Sequence, residues 1–145
     1  MSNEPEKIVG DTDALISLAL SDQSTHQRMH DTTEKLLEQV KMIYFPYPIL
    51  METIVTLSRK FNDKEKAKML AKQFLAGVFN VLYPTEEIYK KAMQIYVEKS
   101  NSKQNTIFDA LVAACAESIN AEAILSLDAW YQKLGFKLAE DVVGS

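Results

Sequence analysis

The chain has 145 residues, of which 47% are hydrophobic and 25% charged. This length and composition exclude a disordered chain and fit one folded domain. We expect the domain to span residues 1–145, with a flexible N-terminus at residues 1–6. The formal net charge of −4 argues against a protein that coats nucleic acid non-specifically, because phosphate binding depends on lysine and arginine.

The polar N-terminal residues lack the basic and apolar regions of a secretion signal. No apolar run approaches the roughly 20 residues that a membrane helix needs. Cys115 is the only cysteine and lies in an apolar stretch, so an intrachain disulfide is excluded. We therefore expect a cytoplasmic protein that does not contact a membrane, with Cys115 as a core residue rather than a nucleophile.

Strands and helices are predicted to alternate along the chain. In order, they are a strand at residues 7–10, helices at 14–20 and 24–40, a strand at 42–45, helices at 48–61 and 62–77, a strand at 78–83, helices at 85–99 and 106–120, a strand at 123–127, a short helix around 130–131 and a fifth strand at 136–138. Such alternation predicts an α/β fold around a parallel sheet.

Polar residues at the predicted helix starts indicate how the helices are capped. Thr12 or Asp13 is placed to cap the first helix. The sequence Ser24-Thr25-His26-Gln27 has the spacing of a capping box and predicts the start of the second helix. Pro48 suits the first turn of the helix that carries Glu52.

Four acidic residues lie at the edges of apolar segments. Asp11 and Asp128 each follow a predicted strand directly, whereas Glu52 and Asp109 lie near the starts of helices. The carboxyl ends of parallel strands and the starts of the following helices share one edge of the sheet, so we expect a single acidic pocket. Desolvated carboxylates need a cation. Hard oxygen ligands without histidine or cysteine select Mg²⁺ or Mn²⁺.

Three other groups of residues have more than one interpretation. His26 and His30 have metal-ligand spacing, but no third ligand lies nearby, so we expect ordinary surface or half-buried histidines. Trp130 and Tyr131 either stack on a nucleobase or pack beneath the last strand. The segment at 59–72 carries six basic residues and two acidic ones, which form either a basic groove or solvated helix faces.

The four acids lie in motifs that resemble those of the PIN-domain family of metal-dependent ribonucleases, in particular its VapC-like toxins. The motifs are Val9-Gly10-Asp11-Thr12-Asp13-Ala14-Leu15, Pro48-Ile49-Leu50-Met51-Glu52, Phe108-Asp109-Ala110-Leu111-Val112-Ala113-Ala114 and Leu125-Ser126-Leu127-Asp128-Ala129-Trp130-Tyr131. The resemblance extends from residue 8 to about residue 138. Asp13 departs from the pattern, since the family more often has a neutral polar residue there. It either adds a carboxylate or caps the first helix, and we favour the cap.

The resemblance implies a three-layer α/β/α fold with a mostly parallel sheet of four to five strands. It also implies hydrolysis of RNA phosphodiester bonds with Mg²⁺ or Mn²⁺. Asp11, Asp109 and Asp128 would be metal ligands, and Glu52 a ligand or the residue that orients the attacking water. Thr12 and Ser126 would hold the carboxylates by hydrogen bonding.

The resemblance further implies partners. A VapC-like toxin is paired with a small antitoxin protein and commonly self-associates, which predicts a homodimer, with the helices of residues 49–74 as the candidate surface.

Two alternatives to a ribonuclease remain at this point. One is a PIN-like binding module that does not cleave. The other is a haloacid-dehalogenase-like phosphatase, because Asp11-Thr12-Asp13 has the spacing of that family's nucleophile and second acid. Leu15 and the lack of a Gly-Asp-x-x-x-Asp cluster disagree with the phosphatase pattern.

Overall fold

The computed structural model describes residues 4–144. Within them four parallel strands form one sheet in the order β3-β2-β1-β4. The strands are β1 (Lys7–Gly10), β2 (Met42–Pro46), β3 (Asn80–Leu82) and β4 (Ala123–Leu125). The helices are α1 (Thr12–Ala19), α2 (His26–Glu38), α3 (Tyr47–Arg59), α4 (Lys64–Leu75), α5 (Glu86–Lys99), α6 (Ile107–Ser118), α7 (Trp130–Lys133) and α8 (Ala139–Val142). The predicted α/β class and the parallel sheet are confirmed.

The sheet lies between two apolar layers because successive strand residues point to opposite faces. Val9 and Ile124 belong to the larger core, together with side chains of α3 to α7. Ile8 and Leu125 belong to a second core that α2 and α8 cover. This is the three-layer α/β/α arrangement expected from the sequence, and its two central strands are β2 and β1.

Strand ends and one helix cap differ from the sequence-based expectation. The predicted fifth strand is reduced to a single bridge between Ile124 and Leu138. The capping box predicted at the start of α2 is wrong: the N-cap is Thr25 rather than Ser24, and the Thr25 side chain makes no cap hydrogen bond. Its hydroxyl lies 2.6 Å from that of Ser17 on α1, so a tertiary contact replaces the local one.

Other expectations concern the first residues and Cys115. Of the N-terminus predicted to be flexible, residues 1–6, the first three lie outside the described part of the chain. Glu6 is bonded to the start of β2, because its carbonyl accepts a hydrogen bond from the N–H of Met42 at 2.9 Å. Cys115 is fully buried, as predicted, and burial raises the pKa of its thiol to about 12. Of the helices in residues 4–144, none has the length and apolar character that crossing a bilayer requires.

Candidate active site

Asp11 lies where β1 ends and α1 begins, at the carboxyl edge of the sheet. Its N–H donates to the carbonyl of Leu125 on β4 at 3.1 Å, which ties the neighbouring strands β1 and β4 together at this point. Its side chain accepts from the N–H of Thr12 and forms the N-cap of α1. Asp11 is 4% exposed, so a carboxylate whose position is set by two strands and a helix lies almost out of contact with solvent.

Asp13 is not the cap of α1, and that prediction is wrong. The N-cap is Asp11, and Asp13 is the second residue of the helix. Its Oδ2 accepts hydrogen bonds from Ser126 Oγ at 2.9 Å and from the N–H of Leu127 at 3.0 Å. Its Oδ1 is buried and has no hydrogen-bond partner. Asp13 therefore adds a fifth carboxylate to the four that the sequence analysis selected.

Threonine residues hold the two acids that come from helices, Thr12 through its hydroxyl and Thr106 through its backbone N–H. Thr12 Oγ1 donates a hydrogen bond to Glu52 Oε1, which links α1 to α3. Asp109 forms a capping box with Thr106: the N–H of Thr106 donates to Asp109 Oδ2 at 2.9 Å, and the N–H of Asp109 donates to Thr106 Oγ1 at 3.3 Å. The hydrogen bond from Thr12 to Glu52 agrees with the interpretation of Thr12 as a residue that holds a carboxylate.

Asp128 and Ser126 lie in the loop that follows β4. The N–H of Asp128 donates to Ser126 Oγ at 3.0 Å, and Asp128 Oδ1 accepts from the N–H of Trp130 at 2.9 Å. Ser126 Oγ lies 3.3 Å from Asp11 Oδ2 as well as 2.9 Å from Asp13 Oδ2. Ser126 therefore contacts two carboxylates of the first helix while its own loop presents a third.

All five acids line a single cavity of about 400 Å³. Its other lining residues are Thr12, Ile16, Ser17, Gln23, Thr25, Thr56, Lys60, Phe61, Gln104, Thr106 and Leu127. Lys60 is the only lysine or arginine in this lining. The four acids predicted to meet do border the same cavity, and four polypeptide segments distant in sequence supply its walls.

The electrostatic environment of the cavity disfavours charged carboxylates. Burial raises the pKa of Asp11 well above its usual value, and the charges of Asp13 and Asp109 raise it further. Burial is also the main cause of the raised pKa values of Asp13, Glu52 and Asp109. No ion pair within residues 4–144 joins any of the five acids to a basic side chain. A bound cation would relieve this repulsion.

The donor set fits a hard divalent cation. Carboxylates with no histidine or cysteine among the lining residues are the ligands of Mg²⁺ or Mn²⁺ rather than zinc, and the unpartnered Oδ1 of Asp13 is a further available oxygen. In the described chain, three ligand atoms within 4.8 Å of one another occur only at His30, Asp31 and Glu34. The cavity carboxylates are thus spaced more widely, which suits a cation held partly through water, as Mg²⁺ commonly is.

The group at His30 is a feature of the exposed face of α2. His30 Nδ1 lies 3.8 Å from Asp31 Oδ1 and 3.7 Å from Glu34 Oε2, and all three side chains are more than half exposed. Neighbouring charged residues on a solvated helix commonly have such contacts without binding a metal. The prediction that His30 is a surface residue is confirmed.

Sequence reasoning missed Thr106 and the contact of Tyr131 with Asp11, and it favoured a cap over an added carboxylate for Asp13. The Thr106-x-x-Asp109 spacing of a capping box was a readable signal. Tyr131 is fully buried and its hydroxyl donates to Asp11 Oδ2 at 2.6 Å. Trp130 is 7% exposed, so the stacking interpretation of these two aromatic residues is wrong and the packing interpretation is correct.

The comparisons with known proteins agree with this architecture. VapC20 from Mycobacterium tuberculosis, described as a toxin that cleaves the sarcin-ricin loop, is 20% identical over 89% of this chain and 95% of its own, with a TM-score of 0.74. PAE2754 from Pyrobaculum aerophilum is 21% identical over 96% of this chain and 93% of its own, with a TM-score of 0.62. FitAcB from Neisseria gonorrhoeae is 16% identical over 90% of this chain and 95% of its own, with a TM-score of 0.64.

At these identities the structural similarity concerns the fold. No curated protein sequence matches the chain. The family model described as the PIN domain matches residues 8–137, which is most of the sequence and includes all five cavity acids. The chain belongs to the PIN-domain family.

Proposed function

We propose that the protein is a ribonuclease that hydrolyses RNA phosphodiester bonds with Mg²⁺ or Mn²⁺, and that it is the toxin of a toxin–antitoxin pair. The observation that supports this best is the cavity at the carboxyl edge of the sheet, where five carboxylates meet without a paired cation. Membership of the PIN-domain family favours a nuclease over the haloacid-dehalogenase-like phosphatase, which is therefore not proposed.

In this proposal Asp11, Asp109 and Asp128 bind the cation directly or through water, and Glu52 is a ligand or orients the attacking water. Asp13 joins them as a fifth carboxylate. A divalent cation in such a site polarises the phosphate, lowers the pKa of bound water and offsets charge on the leaving oxygen.

The hydroxyl groups of the chain keep these side chains in place. Thr12 holds Glu52, and Ser126 contacts Asp11 and Asp13. Such outer contacts orient ligands and tune their affinity.

Basic residues beside the cavity support RNA as the substrate. Lys60 follows α3 and lines the cavity itself. Arg59, the residue before Lys60, lines a second groove of about 280 Å³ between α3 and α4, together with Lys64 and Lys68. We propose that these side chains contact phosphates on either side of the bond that is cut, because lysine and arginine supply most of the affinity for a nucleic-acid backbone.

Cleavage of defined RNA tests the proposed activity. End-labelled single-stranded and hairpin RNAs are incubated with the purified chain in Mg²⁺, in Mn²⁺ and in EDTA. We expect cleavage with either ion, none in EDTA, and none with Asp11→Asn. Asp31→Asn, which removes an exposed acid of α2, is the matched control and should cleave as the wild type does.

Two results would contradict the proposal. Equal cleavage by Asp11→Asn would identify a contaminating nuclease or a different site. Binding of RNA or Mn²⁺ by the wild-type chain without any cleavage would favour the alternative of a PIN-like binding module.

The proposal extends to partners and location. VapC20, whose fold is similar, is described as a toxin, and on that basis we propose a small antitoxin partner, a homodimer and a cytoplasmic location for this chain. Helices α3 and α4 expose Met51, Val55 and Met69, which supports their role as the contact surface. Unpaired apolar side chains of this kind favour association.

Measurements of mass and inhibition test the partners. Size-exclusion chromatography with light scattering should give the mass of a dimer for the wild type and of a monomer for Val55→Lys; an unchanged dimer would exclude this face of α3. Co-expression with the product of an adjacent small reading frame should yield a complex without RNA cleavage. A cleaving complex would contradict the antitoxin assignment.

A further inference from the structure

Tyr131 makes the shortest side-chain hydrogen bond to Asp11 from a position that is far from it in sequence. Its side chain is fully buried, and its hydroxyl donates to Asp11 Oδ2 at 2.6 Å. A phenol that only packed in the core would need any acceptor, and a backbone carbonyl would serve. Here the acceptor is the most buried carboxylate of the cavity.

The other two donors near Asp11 have a further role or a closer acceptor. The N–H of Thr12 bonds to Oδ1 as part of the helix cap. Ser126 Oγ lies 3.3 Å from Asp11 Oδ2 but 2.9 Å from Asp13 Oδ2, and it has a single proton to give. Tyr131 is therefore the one hydroxyl within the described chain whose proton goes to Asp11 alone.

A second cavity acid sets the position of Tyr131. Asp128 Oδ1 accepts from the N–H of Trp130, the first residue of α7, at 2.9 Å. The N–H of Tyr131 then lies 3.4 Å from the carbonyl of Asp128, and its own carbonyl accepts from Phe136 at 3.0 Å. The loop that carries Asp128 thus positions Tyr131, whose hydroxyl binds Asp11.

We propose that Tyr131 is a positioning residue for the cation site, holding the Asp11 carboxylate in the orientation that binds the ion. A carboxylate has about four acceptor positions. The N–H of Thr12 takes one on Oδ1 and the hydroxyl of Tyr131 takes one on Oδ2, which leaves a position on Oδ1 for a cation. This inference rests on the proposed function in one respect, namely that Asp11 is a ligand of Mg²⁺ or Mn²⁺.

Tyr131→Phe tests the role, because phenylalanine keeps the ring and removes only the hydroxyl. Mn²⁺ binding to the full chain is measured by calorimetry, together with kcat and KM for a hairpin RNA. We expect the Mn²⁺ Kd to rise roughly 10- to 100-fold, as is common when a group that orients a ligand is lost. At subsaturating Mn²⁺ kcat should fall by a similar factor, with KM for RNA unchanged.

Tyr44→Phe is the matched control. Tyr44 lies on β2, and within residues 4–144 its hydroxyl has one hydrogen-bond partner, Met42 Sδ, at 3.7 Å. This variant loses the same atom from another part of the sheet. It should bind Mn²⁺ and cleave RNA as the wild type does.

Metal-free stability separates positioning from packing. Urea unfolding of each variant in EDTA measures how far the fold itself depends on the hydroxyl. A Tyr131→Phe protein that is less stable but binds Mn²⁺ with wild-type affinity would show that the hydroxyl is only structural and would overturn this inference. A wild-type chain that binds no Mn²⁺ would overturn the proposed function as well, so the two failures are distinguishable.

Discussion

Replacing Gly10 by alanine is expected to destabilise the fold at the residue that precedes Asp11. Gly10 is the last residue of β1, beside Phe45 on β2. A Cβ built on Gly10 would lie 2.1 Å from Cε1 of the Phe45 ring, whereas ordinary contact begins near 3.4 Å. The ring must therefore move by more than an ångström, or the strand must shift and carry Asp11 with it.

The Phe45 ring has little freedom to move. It is 6% exposed and meets the ring of Phe79 edge-on, with centroids 5.8 Å apart. Inserting volume into a packed core commonly costs about 1–3 kcal/mol. Because the clash involves a rigid ring with neighbours behind it, we expect Gly10→Ala to lower the free energy of unfolding by about 2–3 kcal/mol, a large share of the about 5–15 kcal/mol of a typical domain.

Urea unfolding followed by the fluorescence of Trp130, the only tryptophan, measures this change. A double-mutant cycle supplies the control, because Phe45→Leu removes the ring that the new methyl group would meet. Gly10→Ala should then cost much less in the Phe45→Leu background than in the wild type. A loss below about 0.5 kcal/mol, the usual range of surface substitutions, or an equal loss in both backgrounds, would refute the steric argument.

Three further predictions concern the acids and their contacts. In EDTA at neutral pH, Asp11→Asn should raise the free energy of unfolding, since it removes a buried charge beside Asp13 and Asp109, and Mn²⁺ should no longer raise its Tm as it does for the wild type. The folded state raises the pKa values of Asp11 and Asp109, so the native chain binds more protons than the unfolded chain above about pH 4. The free energy of unfolding without metal, measured in urea, should therefore fall as pH rises above about 4. Saturating Mg²⁺ should make this free energy less dependent on pH. Thr106→Ala should cost about 1 kcal/mol of stability and lower RNA cleavage, whereas Thr85→Ala, which uncaps α5, should lower stability alone.

The sequence carries the features of this fold that depend on local chemistry. The alternation of Ile8 and Val9 between the two cores follows from the two-residue period of a strand. Asp11 and Asp109 could be placed at one edge because parallel strands end, and their helices begin, on the same side of a sheet. Thr106 was within reach of the same reasoning, since its capping box is a short-range pattern.

Contacts between distant segments could not be predicted in this way. The role of Asp13 depends on Ser126 and Leu127, which are more than 110 residues away along the chain. The capping box predicted at Ser24 fails for a related reason, because the helix begins one residue later and the hydroxyl of its N-cap, Thr25, contacts Ser17 instead. Neither partner can be identified until the packing of α1 against its neighbours is known.

Each cavity acid has a hydrogen-bond donor from the chain itself, and this explains how the fold tolerates five carboxylates together. The donors are the hydroxyls of Tyr131 for Asp11, Ser126 for Asp13 and Thr12 for Glu52, and the backbone N–H groups of Thr106 for Asp109 and Trp130 for Asp128. Hydrogen bonds to a carboxylate offset part of its desolvation and fix its direction. They do not remove the repulsion among the acids, because none of these donors carries a positive charge. The arrangement is therefore held ready for a cation at the expense of stability, and binding that cation should both stabilise the fold and complete the site.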